Sequence, residues 1–202
     1  MYHYFLEWGA ALVNCMIIDI ERHAGYINSM KILIGRKYKI ILTLSIFSIN
    51  YFIDRFTKYI AVEYLKGSEA KGFLNDTFIL VYTENTGAFL SLGRNWNIYV
   101  KYFVLLIIPI IICIIGLLYL MVKETKNYRI ITCSCIIGGG IGNLVDRLFK
   151  EFSVIDFMCF GIGNIKTGIL NVADLSVTFG IIILIIIENI QAKKIKNNGG
   201  EI

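Results

Sequence analysis

Two aspartates in this sequence lie beside apolar segments, where acidic side chains are uncommon. Asp156 lies in the segment Val-Ile-Asp-Phe (154–157), and Asp174 ends the segment Asn-Val-Ala-Asp (171–174) just before a long apolar run. An ionised carboxylate beside hydrocarbon is costly unless it is paired, hydrated or protonated. Paired acids in such a setting either relay protons through a membrane bundle or act as general acid and base in an enzyme, so both are candidate functional residues.

Other polar residues lie close to apolar runs. Asp54 and Lys58 are four positions apart, so a helix would place them on one face, where they can pair. Asn143, Asp146 and Arg147 fall within one and a half helical turns and predict a polar face directed into a helical bundle. Each group alone also fits an ordinary ion pair or helix cap, so the spacing by itself does not decide between function and structure.

Two glycine-containing motifs have structural explanations of their own. Gly138 and Gly142 have the small-xxx-small spacing that lets membrane helices approach closely. Asn85 and Gly87, in Glu-Asn-Thr-Gly-Ala-Phe (84–89), suit a tight turn facing a substrate, but turns use the same residues for steric reasons alone. Neither motif indicates a function on its own.

Composition sets the class of protein. Of 202 residues, 56% are hydrophobic and one is proline, and the mean hydropathy of +0.67 is too high for an ordinary soluble domain. The net charge of +5 comes from short basic clusters beside apolar runs, which indicates membrane orientation and not nucleic-acid binding. The five cysteines lack metal-ligand spacing and are interpreted as small core residues.

The apolar runs predict a membrane all-α fold, a four-transmembrane-helix bundle with a small β element in a short extracytoplasmic β-rich loop region. Basic clusters before the first span, between the second and third, and after the fourth put both termini in the cytoplasm by the positive-inside rule. Residues 73–82 have the β-branched and aromatic content of short strands. The predicted spans are about 40–56, 99–122, 130–149 and 173–190.

The N-terminal segment stands apart from this pattern. Residues 1–29 hold a mildly apolar stretch that is too short and too charged at its end to predict a span, whereas Met30 begins a conventional basic region ahead of the first span. Residues 1–29 are therefore interpreted either as an extension from a misplaced start or as an interfacial helix. The membrane domain is predicted to comprise residues 30–202.

On this topology, polar residues from four separate segments gather at the extracytoplasmic membrane face. Independent helix caps would instead scatter over both faces. The group comprises Asp54, Asn85, Asn143, Asp146, Arg147, Asp156, Asn171 and Asp174.

Five motifs, in order and spacing, resemble bacterial lipoprotein signal peptidase (signal peptidase II, or prolipoprotein signal peptidase). The resemblance extends from about Lys31 to the C-terminal basic tail. One departure is visible, because the commoner family form has a second alanine before the phenylalanine of the second motif, which leaves the role of Phe89 open. The motifs are Asp-Arg-Phe-Thr-Lys (54–58), Asn-Thr-Gly-Ala-Phe (85–89), Gly-Asn-Leu-Val-Asp-Arg (142–147), Val-Ile-Asp-Phe (154–157) and Asn-Val-Ala-Asp (171–174).

The resemblance implies an aspartic endopeptidase at the edge of the bacterial inner membrane. Its substrate would be a diacylglyceryl-modified prolipoprotein, cut before the lipid-modified cysteine, with Asp156 and Asp174 as the catalytic pair and no metal or cofactor. Asp146, also an outward-facing acid, is the rival for Asp156. Support or substrate binding is implied for Asp54, Lys58, Asn85, Gly87, Asn143, Asp146, Arg147 and Asn171.

Further expectations concern partners and alternative functions. Membrane lipid is the other expected partner, nucleic acid is not expected, and a monomer is favoured. A proton-coupled transporter or channel would also use paired acids, but at mid-span, where they line a path. A membrane scaffold would need only the glycines and one ion pair, which would leave Asp156, Asn171 and Asp174 without a role.

Overall fold

A computed structural model gives the backbone of residues 2–88, 91–123 and 126–198, with side chains described for residues 30, 33–88, 91–123, 126–194 and 196–197. The chain divides into two compact units, residues 1–40 and 41–202. In chain order the elements are α1 (Tyr2–Leu65), β1 (Lys71–Phe73), β2 (Phe78–Asn85), α2 (Ile98–Lys101), a π-helical segment (Tyr102–Ile107), α3 (Ile108–Val122), α4 (Asn127–Phe149), β3 (Val154–Ile162), β4 (Ile165–Lys166) and α5 (Val172–Asn198).

Four helical segments in the described residues are long and apolar enough to cross a membrane. Each carries at most two charged side chains in its most apolar window of 18 residues. The prediction of a four-span bundle with a small β element is therefore confirmed. The segments are Leu33–Leu65, Ile98–Val122, Asn127–Phe149 and Val172–Lys194.

The first helix is longer than the sequence predicted. The predicted span of about 40–56 lies inside α1, which continues to Leu65 and carries Asp54 and Lys58 within it. In the sequence, the charged residues Asp54 and Lys58 indicated that the first span ends near them. They are compatible with a continuing helix because Asp54 and Lys58 are buried and paired with each other and with charges on α4.

Residues 2–29 are helical. The backbone of α1 begins at Tyr2. The side chains of residues 1–29 lie outside the described residues, so the two interpretations of this segment both stand as predictions.

The β element is a four-stranded antiparallel sheet with the strand order β1-β2-β3-β4. Asp156 of β3 is the register partner of Thr83 on β2, and Val154 is the partner of Asn85. Since alternate side chains in a strand point to opposite faces, Asn85 and Asp156 share one face, while Glu84 and its partner Ile155 lie on the other.

The sheet is fixed to the end of α1 by an apolar cluster. Ala61 and Leu65 of α1 pack with Ile155 and Phe157 of β3, and all four side chains are buried. Because Ile155 and Phe157 flank Asp156, this packing determines where the Asp156 carboxylate lies relative to the helices.

Three glycines of α4 allow close contact with its neighbouring helices. A Cβ atom added at Gly138 would lie 2.9 Å from the Phe47 carbonyl oxygen of α1. One at Gly139 would lie 2.7 Å from the Ala173 carbonyl oxygen of α5, and one at Gly142 would lie 2.5 Å from Asp54 Oδ2. These approaches are closer than a side chain permits, so the glycines let α1 and α5 lie close to two different faces of α4.

Gly142→Ala should destabilise the protein by about 1–3 kcal/mol, because the new methyl group must push Asp54 and α1 away from α4. Gly140→Ala is the matched control, since its Cβ would meet only the Cys113 sulfur at 3.5 Å, an ordinary contact. Thermal unfolding of both variants in detergent micelles measures the difference. Equal melting temperatures for the two variants would contradict the close-contact account.

Candidate active site

Asn171 joins the two aspartates of the predicted pair. Its side-chain Nδ2 donates to Asp156 Oδ1 at 2.6 Å, and its backbone N–H donates to Asp174 Oδ2 at 3.1 Å. The backbone N–H of Asp174 in turn donates to Asn171 Oδ1 at 2.9 Å. Asn171 precedes α5 and Asp174 lies in its first turn, so the reciprocal pair has the form of a capping box. The start of α5 therefore orients both acids.

The remaining carboxylate oxygens of the pair also accept amide hydrogen bonds. Asn143 Nδ2 of α4 donates to Asp174 Oδ1 at 2.9 Å, and Asn85 Nδ2 of β2 donates to Asp156 Oδ2 at 3.0 Å. All four oxygens of the two acids are thus held by neutral amide donors. These bonds fix the geometry of the acids without neutralising a negative charge.

A small cavity lies between these groups. Its volume of about 10 Å³ is close to the space that one water molecule needs. Arg147 lines it and donates from Nη2 to the Gly87 carbonyl oxygen at 2.9 Å. Gly87 is held in turn by Asn85, whose Oδ1 accepts from the Gly87 N–H at 2.9 Å. The turn after β2 is therefore attached to both Asn85 and Arg147, next to the acids.

The environment of Asp156 favours its protonated form. Burial, together with the nearby negative charge of Asp174, raises the pKa of Asp156 from 3.8 to about 6. The hydrogen bonds from Asn85 and Asn171 act in the opposite direction but are outweighed. Asp156 can therefore hold a proton close to neutral pH. Among the described residues, no group of three or more His, Cys, Asp or Glu side chains is placed to hold a metal ion.

A cluster of charged side chains lies beside the acid pair, between α1 and α4. Asp54 and Asp146 are fully buried, and Lys58 binds both, at 3.0 Å and 2.8 Å. Arg55 Nη1 and Nη2 donate to the two oxygens of Asp146 at 2.7 Å and 2.8 Å, and Nη2 also donates to Asp54 Oδ2 at 2.7 Å. Lys150 approaches Asp146 Oδ1 at 3.0 Å. Two buried anions are thus matched by three cations.

Two contacts connect the charge cluster to the acid pair. Lys58 Nζ donates to Asn143 Oδ1 at 2.7 Å, so Asn143 is held with its Nδ2 directed at Asp174. Asp54 Oδ1 accepts from the Ala173 N–H at 3.0 Å, which fixes the first turn of α5. The cluster therefore positions Asn143 and the first turn of α5, which carries Asp174.

All of the predicted site residues lie in this one region, but two points differ from what the sequence indicated. Arg55 was not singled out, although its place between Asp54 and Lys58 in a membrane helix was a signal that could have found it, because an unpaired arginine there would be costly. Asp146, the rival acid, is bound by three cations and belongs to the charge cluster. Phe89 lies outside the described residues.

Comparison with known proteins adds an independent line of evidence. A sequence profile described as Signal peptidase (SPase) II matches residues 46–190, well over half of the chain. The chain belongs to the signal peptidase II family. It is thus a multi-pass membrane peptidase, and the matched segment contains every motif from Asp54 to Asp174.

Individual relatives agree with the profile. The chain is 39% identical over 140 residues to "Lipoprotein signal peptidase" of Borrelia hermsii, covering 67% of this chain and 82% of the relative. It is 35% identical over 164 residues to the protein of the same name in Borrelia duttonii, covering 79% and 96%. These matches support the assignment to the signal peptidase II family over most of the length of the relatives.

Solved structures support the fold. A bacterial membrane enzyme determined by the in meso method at 2.3 Å resolution aligns with a TM-score of 0.63 and 24% identity, covering 79% of this chain and 92% of that one. A second, at 1.9 Å resolution, aligns with a TM-score of 0.62 and 25% identity, covering 71% and 90%. The fold of this chain thus has counterparts in experimental structures.

The raised pKa of Asp156 predicts a pH dependence of stability. A carboxyl whose pKa is higher in the folded than in the unfolded protein stabilises the fold while protonated, and this contribution is lost as pH rises through the folded value of about 6. Between about pH 4 and pH 8, wild type should lose up to about 3 kcal/mol relative to Asp156→Asn, which cannot ionise. Melting curves recorded in detergent across this pH range test the direction of this change in stability. A pH-independent difference would contradict it.

Arg55→Met should destabilise the protein by about 3–5 kcal/mol, because it leaves buried carboxylates without their bidentate partner. Arg129→Met is the matched control, since Arg129 also pairs with a carboxylate, Glu188, but both side chains are more than a third exposed. That control should cost far less, because ion pairs exposed to solvent contribute little to stability. Unfolding of both variants in the same detergent measures the contrast, and equal losses would show that burial of the cluster contributes nothing.

Proposed function

We propose that this protein is an aspartic endopeptidase that cleaves prolipoprotein signal peptides before a cysteine modified with diacylglycerol. The main support is the single hydrogen-bond network that holds Asp156 and Asp174 through Asn171. Two adjacent carboxyl groups in a buried site do not both ionise readily, so the pair shares one proton. Such a pair supplies a general base and a general acid together.

In the proposed reaction, water is the nucleophile. Asp174, the ionised member, takes a proton from water as its oxygen bonds to the scissile carbonyl carbon, and Asp156, the protonated member, gives its proton to the carbonyl oxygen. The carbon–nitrogen bond then breaks as the proton on Asp174 passes to the leaving amine. The hydroxyl proton of the intermediate returns to Asp156 as the new carboxyl group forms. The pair recovers its starting state, with one proton on Asp156.

The residues around the pair suit the binding of an extended peptide. Arg147 donates to the Gly87 carbonyl, and its buried Nε has no hydrogen-bond partner among the described residues, so Arg147 has an N–H group left for a substrate carbonyl. Asn85 is hydrogen-bonded both to Gly87 in the turn and to Asp156. A peptide bound beside Gly87 can therefore change the position of the Asn85 side chain next to Asp156. Lys58 and Asp54 support the site through Asn143 and the start of α5.

Membrane placement follows from the same proposal. The basic residues at the ends of the spans favour cytoplasmic termini, which puts the acids at the extracytoplasmic face. The diacylglyceryl chains of the substrate would remain in the bilayer beside the spans, with the modified cysteine at the level of the acids. A monomer is sufficient, because every group in the network comes from one chain.

A proton-coupled transporter is the second candidate that the acids raise. In such a protein the acids would lie at mid-span and line a path. Here Asp174 lies in the first turn of α5 and Asp156 lies outside the helices, on β3. This position at one end of the bundle favours the peptidase.

Cleavage of a diacylglyceryl-modified prolipoprotein peptide by the purified protein tests the proposal. Asp156→Asn and Asp174→Asn should each lower kcat by at least about 10²-fold, because each removes a proton-transfer group. Peptide products are measured by mass spectrometry, with melting temperature as the check on folding. A folded variant of either residue that cleaved at the wild-type rate would overturn the assignment of the pair.

Two further measurements test the substrate and the identity of the catalytic acids. A peptide without the lipid modification should not be cut, and cleavage of both forms alike would contradict the proposed substrate. Asp146→Asn should act mainly through stability, because Asp146 is bound by Arg55, Lys58 and Lys150. Loss of kcat in a stable Asp146→Asn protein, with Asp156→Asn active, would move the site to Asp146.

A further inference from the structure

A second, larger cavity lies on the opposite face of the sheet from the acids. Its volume is about 670 Å³, within the range of small-ligand sites, about 300–1,000 Å³. Glu84 and Ile155 line it, whereas Asn85 and Asp156 line the small cavity between the acids. Because neighbouring side chains of a strand point to opposite faces, the β2–β3 pair forms a wall between the two cavities.

The charged side chains that line this cavity have a net charge of zero. Lys66 and Lys150 directly follow the last residues of α1 and α4, and Glu84 and Glu151 complete the set. Two cations and two anions line this cavity, with Lys150 43% exposed although it also contacts Asp146. Such a set matches a ligand that carries a positive and a negative group, and it does not favour a simple anion or cation.

The pairing of Glu84 leaves room for such a ligand. Tyr82 Oη donates to Glu84 Oε1 at 2.5 Å, and Lys66 Nζ lies 3.3 Å from the same oxygen. These contacts keep the pKa of Glu84 below its usual value, the tyrosine hydrogen bond being the larger cause, so Glu84 stays ionised. The Lys66 contact is long and solvent-exposed, so exchanging it for a ligand costs little.

The turn that carries Glu151 is strained. Glu151 and Phe152 have φ angles of 49° and 67°, in the left-handed region that non-glycine residues rarely adopt. Phe152 is buried and packs against the Tyr102 ring at 4.9 Å between centroids, which holds the turn in this conformation. Such strain tends to persist where a side chain has to be presented at a site, and here it places Glu151 at the cavity.

The surroundings of the cavity are those of a membrane–water boundary. Phe149, beside Lys150, is 81% exposed, and Tyr64, beside Lys66, is 66% exposed. Both residues lie in the last turn of a helix that can cross a membrane. Exposed aromatic rings next to lysines at the end of a span are typical of the headgroup level of a bilayer.

We propose that this cavity binds the headgroup of a zwitterionic phospholipid, with its phosphate between Lys66 and Lys150 and its ammonium group beside Glu84 and Glu151. The acyl chains run into the bilayer past Phe149. A lipid bound there contacts β2 and β3 on the sheet face opposite the acids and stabilises the two strands at positions adjacent to Asn85 and Asp156. The binding itself does not depend on the peptidase reaction.

Native mass spectrometry of the full-length protein, released from micelles that contain equal amounts of phosphatidylethanolamine and phosphatidylglycerol, tests the proposal. Wild type is expected to retain one phosphatidylethanolamine in preference to phosphatidylglycerol. The double variant Lys66→Gln/Glu84→Gln should lower that retention about fivefold or more, since it removes one contact to each charged group. The control Arg129→Gln/Glu188→Gln removes one charge of each sign at the other end of α4 and should leave retention unchanged.

Four results would overturn the proposal. Equal retention by wild type and the Lys66→Gln/Glu84→Gln variant would show that lipid does not bind in this cavity. Preferential retention of phosphatidylglycerol would show that the site selects an anion. Binding of soluble phosphoethanolamine as tightly as the lipid, or displacement of the lipid by a prolipoprotein peptide, would assign the cavity to another ligand.

Discussion

Four carboxylates meet at one end of this helical bundle, and the way each is compensated determines what it can do. Asp54 and Asp146 are compensated by cations, namely Arg55, Lys58 and Lys150. Asp156 and Asp174 receive hydrogen bonds from neutral amides of asparagines and from the backbone. Cation pairing keeps an acid ionised, whereas amide donors orient an acid and leave its charge in place.

The two kinds of carboxylate depend on each other. Lys58 is held by Asp54 and Asp146, and it directs Asn143 so that its amide reaches Asp174. Asp54 can lie against α4 only because Gly142 has no side chain at the point of contact. The charge cluster thus supports the acid pair, whose own hydrogen-bond donors are neutral amides.

Much of this architecture follows from the sequence. Apolar runs and basic clusters predict the four spans, and the spacing of Asn143, Asp146 and Arg147 predicts a polar face on α4. The different surroundings of Asp146 and Asp156 could not be predicted, because they depend on contacts with other elements and not on the local sequence. Asp146 is bound by cations from α1, whereas Asp156 accepts a hydrogen bond from Asn85 of β2. The extent of α1 was missed for the same reason. Asp54 and Lys58 suggest a helix end until the buried partners on α4 are known.

The most direct test of a shared proton is the titration of Asp156 itself. Protein labelled with ¹³C at aspartate Cγ, held in detergent micelles, allows its carboxyl to be followed by NMR from about pH 3 to pH 9, with assignment by Asp156→Asn. We expect a midpoint of about 6 in wild type and a lower midpoint in Asp174→Asn, which lacks the neighbouring negative charge. A midpoint near the ordinary value of 3.8 in both proteins would contradict it.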